Sequence, residues 1–149
     1  MDVLIAHGSE ASRRKLGKTL AGQGLRMVEA AAGEVALELL LAPGAPRLAL
    51  IDWDLPELEG PELCRLLRDF NFGRPPYIIL LSEAGLERDL TAGLQDGAND
   101  IVVLPISARE LRTRVEYGRR VVELPWGAPA IDDEADVRQT RLNLRLQTI

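Results

Sequence analysis

Short, uninterrupted apolar runs recur along this chain, and each is followed by a segment with helical periodicity. The runs are Val3-Leu4-Ile5-Ala6, Leu48-Ala49-Leu50-Ile51, Tyr77-Ile78-Ile79-Leu80-Leu81 and Ile101-Val102-Val103-Leu104. A strand with one wet face alternates apolar and polar residues; continuous runs mark strands covered on both faces. Leu25-Arg26-Met27-Val28 is a fifth, less apolar run, which suits a strand nearer an edge. Strands alternating with helices across short loops give a parallel, doubly wound α/β sheet.

The punctuation between the runs fits this reading. Ser9 can cap a first helix carrying Leu16 and Leu20 on one face, and Gly22 and Gly24 end it. A second helix spans 33–42, and Pro43-Gly44-Ala45-Pro46 breaks the chain before the third strand, 47–51. Pro61 suits the first turn of a third helix, 61–70. A fourth helix, about 86–95, stops at Gly97. Ser107-x-x-Glu110 forms a capping box for a fifth helix, whose buried stripe is Leu111, Val115, Gly118 and Val122.

Charge and cysteine content narrow the function. The net charge of −5 over 149 residues argues against a nucleic-acid-binding domain, which needs a basic stripe to offset phosphates. No apolar run approaches the ~20 residues of a membrane span. Polar residues at Asp2 and His7 interrupt any secretory leader, so a cytoplasmic protein is expected. Cys64, the only cysteine, falls in the helical pattern of Leu63, Leu66, Leu67 and Phe70, which makes it a packing residue rather than a nucleophile.

In an open parallel sheet, ligands bind at the carboxyl ends of the strands. Asp52 stands at such an end, in Leu48-Ala49-Leu50-Ile51-Asp52-Trp53-Asp54-Leu55-Pro56, followed by Gly60-Pro61. Ser82 closes the fourth strand, Gly97-Ala98-Asn99-Asp100 precedes the fifth, and Leu104-Pro105-Ile106 follows it. Over residues 2 to about 123 this arrangement resembles the receiver domain of two-component response regulators. The resemblance implies a flavodoxin-like fold with five parallel strands in the order 2-1-3-4-5. It makes Asp52 the phospho-acceptor equivalent, Ser82 the phosphoryl contact, and Asp54 the position that lends a backbone oxygen to a metal. It also implies a cis Leu104–Pro105 bond.

The chain departs from the family pattern where the chemistry is most demanding. The family's adjacent metal-binding acids are replaced by His7 and Gly8, and its lysine by Leu104. Mg²⁺ requires oxygen ligands in near-octahedral geometry, so weak or absent Mg²⁺ binding and no resident cofactor are expected. The carboxylates of Asp54 or Glu10 are the available substitutes. Removing one preorganised electrostatic partner costs roughly 3 kcal/mol in comparable sites. Glu83 adds a further acid beside the pocket.

His7 is then either a ligand for a transition metal, with Asp52 or Glu10, or a structural residue forming a charge-assisted hydrogen bond to Asp52. Asp52 is either a relic that caps loop amides or a slow acceptor. Trp53 lies at the pocket rim, either as a contact residue or as half-buried packing.

The leading expectation is a pseudo-receiver. It is not an enzyme and works through signalling partners and a homodimer formed by the fourth helix, fifth strand and fifth helix. Arg88, Asp89, Asp96, Arg112, Glu116 and Arg119 are candidate rim charges for that dimer. The alternatives are a slow phospho-acceptor with altered metal chemistry, and a flavodoxin-like domain that binds a small ligand. Residues 124–149 form a C-terminal extension or a linker towards an output domain. Within it Trp126 pins the tail, and Leu142, Leu144 and Leu146 alternate with polar residues.

Overall fold

A computed structural model describes residues 1–70 and 75–125. The elements are β1 (Asp2–Ala6), α1 (Glu10–Leu20), β2 (Arg26–Ala30), α2 (Gly33–Leu41), β3 (Leu48–Asp52), α3 (Gly60–Asp69), β4 (Tyr77–Glu83), α4 (Leu90–Gln95), β5 (Asp100–Leu104) and α5 (Ala108–Glu123). The strands form one sheet in the order β2-β1-β3-β4-β5, and every pairing is parallel. This is the order anticipated above. Trp126 and the alternating leucines of the tail lie outside the described residues.

Alternate residues of each strand feed two separate cores. Leu4, Ala6, Ala49, Ile51, Ile78 and Leu80 face one way, against Ala36 and Leu40 of α2 and Leu63, Cys64 and Leu67 of α3. Val3, Ile5, Leu48, Leu50, Ile79 and Leu81 face the other way, against Leu16 and Leu20 of α1 and Leu111, Val115 and Val122 of α5. The period of two along a strand sorts the residues between the faces. Continuous apolar runs are therefore required in β1, β3 and β4. β2 lies at an edge, and only Ala30 of its five residues is fully buried.

Several boundaries shift by one residue from the sequence expectation, and three shift further, each for a tertiary reason. β2 runs to Ala30 because it pairs residue for residue with β1, from Asp2↔Arg26 to Ala6↔Ala30. β4 extends past Leu81 because Ser82 and Glu83 still pair with Val103 and Leu104 of β5. α4 starts at Leu90 rather than near 86: Gly85 turns the preceding loop at φ 87°, and the Asp89 side chain caps the helix by accepting the Thr91 N–H at 3.0 Å. At α5, Ser107 Oγ accepts the Glu110 N–H at 3.1 Å, the serine half of the expected capping box, while the Glu110 carboxylate turns to Arg114. The Leu104–Pro105 bond is cis.

Gly118 lets α5 lie close to the sheet. A Cβ there would stand 2.6 Å from Tyr77 Cδ1 and 2.8 Å from Leu48 Cδ1, both in buried side chains. Alanine in a helix interior is intrinsically better than glycine by about 1 kcal/mol. Overpacking a filled core costs about 1–3 kcal/mol. Gly118→Ala is therefore expected to destabilise the domain despite its helix propensity, lowering the urea midpoint at unchanged m-value.

Candidate functional site

The parallel register brings the site together. Ala6 pairs with Ile51, so His7 and Asp52 leave neighbouring strands side by side. Asp52 pairs with Leu81, and the next residue along β4 is Ser82. Asp52 is 9% exposed and Ser82 is 2% exposed. Leu104 follows from Glu83 across the β4–β5 ladder, and its carbonyl accepts the Ala84 N–H at 2.8 Å.

His7 is held at several points. Its backbone N–H donates to Ala30 O at 3.0 Å, and its carbonyl accepts from Arg13 Nη1 at 2.7 Å. Nδ1 accepts the Ser9 N–H at 3.0 Å, which leaves the ring proton on Nε2. Nε2 lies 3.6 Å from Asp52 Oδ2. That exceeds hydrogen-bond length, so the expected charge-assisted bond is a looser polar contact. The reason is that Ser9 already fixes the ring from its other side.

Asp52 sits in an acidic setting. Burial raises its pKa above the usual carboxylate range. His7 and the Asp54 backbone N–H, which donates to the carboxylate, pull it down, while the Asp54 and Glu83 carboxylates push it back up. Asp52 is a desolvated acid with acids as neighbours.

The substitutes for the missing metal ligands are engaged elsewhere. Glu10 pairs with Arg14 on its own helix at 3.1 Å. Asp54 is taken by Arg88, whose Nη2 lies 3.0 Å from Oδ2 and 3.2 Å from Oδ1. Position 8 offers no side chain, and a Cβ there would press against Pro56 Cγ at 2.9 Å. Among the described residues, no three His, Cys, Asp or Glu side chains gather where they could hold a metal. The donors present do not fit Mg²⁺, which wants several oxygens in near-octahedral array. One imidazole with these engaged acids also falls short of a zinc set. Leu104 instead helps to line a cleft of about 450 Å³ with His7, Lys15, Leu16, Glu83 and Ile106. Cys64 is fully buried, and burial pushes its thiol up to about 12, which leaves it a packing residue.

Arg88 is the residue that sequence reasoning misassigned. The sequence suggests a place at a dimer rim, but the guanidinium is paired within the chain and lies 5.0 Å from the Trp53 ring centroid. Its partner is 34 positions away, and no local pattern signals that contact. Other presumed rim charges are also engaged internally. Asp89 caps α4. Arg112 donates to Thr19 O and Arg119 to Gln23 O, which places both on the α1 side of α5.

The raised pKa of Asp52 has a definite sign in stability. The native state holds this proton to higher pH than the unfolded chain does. Ionisation therefore costs stability as pH rises from the ordinary carboxylate range through the folded pKa. An amide in place of the carboxylate would keep an acceptor for the Asp54 N–H without the charge. Asp52→Asn is expected to raise the urea midpoint at pH 7, with the gain shrinking as pH falls through the carboxylate range. An equal gain at every pH would contradict this account.

Known proteins resemble this chain over about three quarters of its length. Residues 3–116 match the family model described as the response regulator receiver domain. The transcriptional regulatory protein AfsQ1 of Streptomyces coelicolor is 37% identical over 113 residues, which covers 76% of this chain and 48% of that protein. The chain thus spans about half the length of this relative. The chemotaxis protein CheY1 of Helicobacter pylori is 31% identical over 118 residues, covering 78% of this chain and 94% of the relative. Among solved structures, the receiver domain of the Francisella response regulator 1452 superposes with a TM-score of 0.73 at 26% identity, covering 82% of this chain and 98% of that one. With the parallel sheet, the Asp52 strand end and Ser82 in place, the chain belongs to the response regulator receiver domain family of two-component signalling.

Proposed function

We propose that this receiver domain is a pseudo-receiver, a non-enzymatic module that signals by protein contact without phosphorylation of Asp52. The observation that carries the reading is the ownership of charge around Asp52. The acids that could help to hold a metal are absent or engaged, Leu104 supplies no cation, and Glu83 adds repulsion. Phosphoryl transfer to a carboxylate depends on positioning and charge neutralisation, and both are depleted here. The cytoplasm and signalling partners follow as part of this reading, by likeness to the family.

Intact-mass measurement after incubation with acetyl phosphate and Mg²⁺ tests it. The unmodified chain is expected to remain unlabelled. The metal and the lysine perform separate tasks, so restoring either alone is expected to rescue poorly. His7→Asp, Gly8→Asp and Leu104→Lys together are expected to restore labelling that Asp52→Asn abolishes. The acid at position 8 requires a small shift of the Pro56 ring. The second reading, a slow acceptor, draws on the retained strand-end positions of Asp52 and Ser82. Ready labelling of the unmodified chain at Asp52 would establish it and remove the pseudo-receiver.

We further propose self-association through α4, β5 and α5. Leu94, Val103 and Tyr117 are exposed on these elements at 48%, 41% and 60%. The neighbouring charges are neutralised within the chain: Arg114 grips Asp100 at 2.8 and 2.9 Å, and Arg120 lies 4.0 Å from Glu116. Apolar contact must then supply the affinity, because exposed ion pairs contribute little. Light scattering is expected to give a dimer at micromolar or higher concentration, and Val103→Asp is expected to return the monomer. A wild-type monomer at millimolar concentration would exclude the interface.

A further inference from the structure

The loop between β4 and α4 is fastened to the segment that follows Asp52, and one residue makes the fastening. Arg88 immediately precedes Asp89, the cap of α4. Its side chain is only 15% exposed, and it reaches Asp54 with Nη2 at 3.0 Å. The guanidinium also lies 5.0 Å from the Trp53 ring centroid. Trp53 touches α4 itself: a Cβ on Gly93 would come within 2.8 Å of Trp53 Cζ3. The two residues after Asp52 are therefore joined to the loop through Arg88 and to the helix through Gly93.

α4 needs such support. It has six residues, and only Gly93 is fully buried. A helix of that length does not hold itself together in water. The preceding loop turns at Gly85 with φ 87°, which favours a residue without a side chain. Arginine suits the task because its planar group can stack on an indole and bond a carboxylate at once, which lysine cannot do. A mostly buried, stacked guanidinium is also worth more than an exposed ion pair.

We propose that Arg88, Asp54 and Trp53 form a lock that holds the β4–α4 loop and the start of α4 in one position. Asp54 is the carboxylate closest in sequence to Asp52 on the same loop, and its charge is taken by a residue of the β4–α4 loop rather than offered to a metal. The loop is thus held from the side of the acceptor segment by the chain's own side chains. Only the functional consequence, a face that presents one fixed state to partners, rests on the pseudo-receiver reading.

Hydrogen exchange on the full 149-residue chain, followed by mass spectrometry, tests the lock. In Arg88→Ala, amides of residues 84–95 are expected to exchange about tenfold faster, with β1 and β3 unchanged. Arg88→Lys keeps the ion pair without the stacking and is expected to fall between wild type and alanine. Asp54→Asn is expected to release the same segment, and adding it to Arg88→Ala is expected to cause little further change. Unaltered exchange of 84–95 in Arg88→Ala would overturn the proposal. So would a rise shared equally by all strands, which would assign Arg88 to general stability. Phosphoryl labelling of Asp52 tests the pseudo-receiver separately, so either idea can fail alone.

Discussion

The burial of β3 on both faces is the constraint from which the rest follows. All five of its residues, Leu48 to Asp52, are inside, and the strand pairs with β1 on one side and β4 on the other. A strand in this position has no wet face along its length. Polar groups can enter it only at its ends, and Asp52 stands at its carboxyl end, the edge where open parallel sheets bind ligands. Asp52 is polar because it is the last residue of β3, and it is desolvated because it is still part of β3. The same closeness admits no side chain at Gly60: a Cβ there would stand 2.7 Å from Asp52 O.

A buried carboxylate must be compensated or it loses its charge. Here compensation is thin. His7 turns its protonated nitrogen toward Asp52 at 3.6 Å, but its other nitrogen is bound to Ser9, so the ring serves as a fixed wall. The Asp54 N–H does more conventional work as a loop donor. Against these stand the carboxylates of Asp54 and Glu83. An added anion would enter a region where acids already outnumber cations.

Much of this was legible in the chain. The apolar runs of β1, β3 and β4 marked the strands, because two-sided burial leaves a trace on every residue; the equally apolar run of β5 lies instead at the second edge of the sheet, where only Val102 of its five residues is buried. Asp52, Ser82, His7 and Leu104 were legible because each stands at a strand end, where the end of an apolar run is a local signal. Partnership between side chains was not. Arg88 and Asp54 are far apart in sequence and carry ordinary surface charges, so either suits a rim contact when read alone. The Asp89 cap was missed because the apolar Leu86 extended the helical pattern backwards into a loop. Arg112 and Arg119 were misplaced for a related reason. A helix rotates by about 100° per residue, so a small error in phase moves a charge from one flank of α5 to the other.

In the proposed pseudo-receiver, the distribution of cations is the feature that separates this edge from an ordinary phosphoryl site. A lysine at position 104 would project from the end of β5, a rigid strand, and its charge would be fixed relative to Asp52. Leu104 gives that place to an apolar cleft wall. Arg88 brings a cation to the same edge from a loop, where it neutralises Asp54 and lies against Trp53. A fixed cation on a strand can respond to what binds beside it without moving the fold. A cation on a loop instead couples its partner to the position of that loop. In that reading, charge that would serve chemistry at Asp52 is committed to tertiary structure, and the short helix α4 is the element that gains from it.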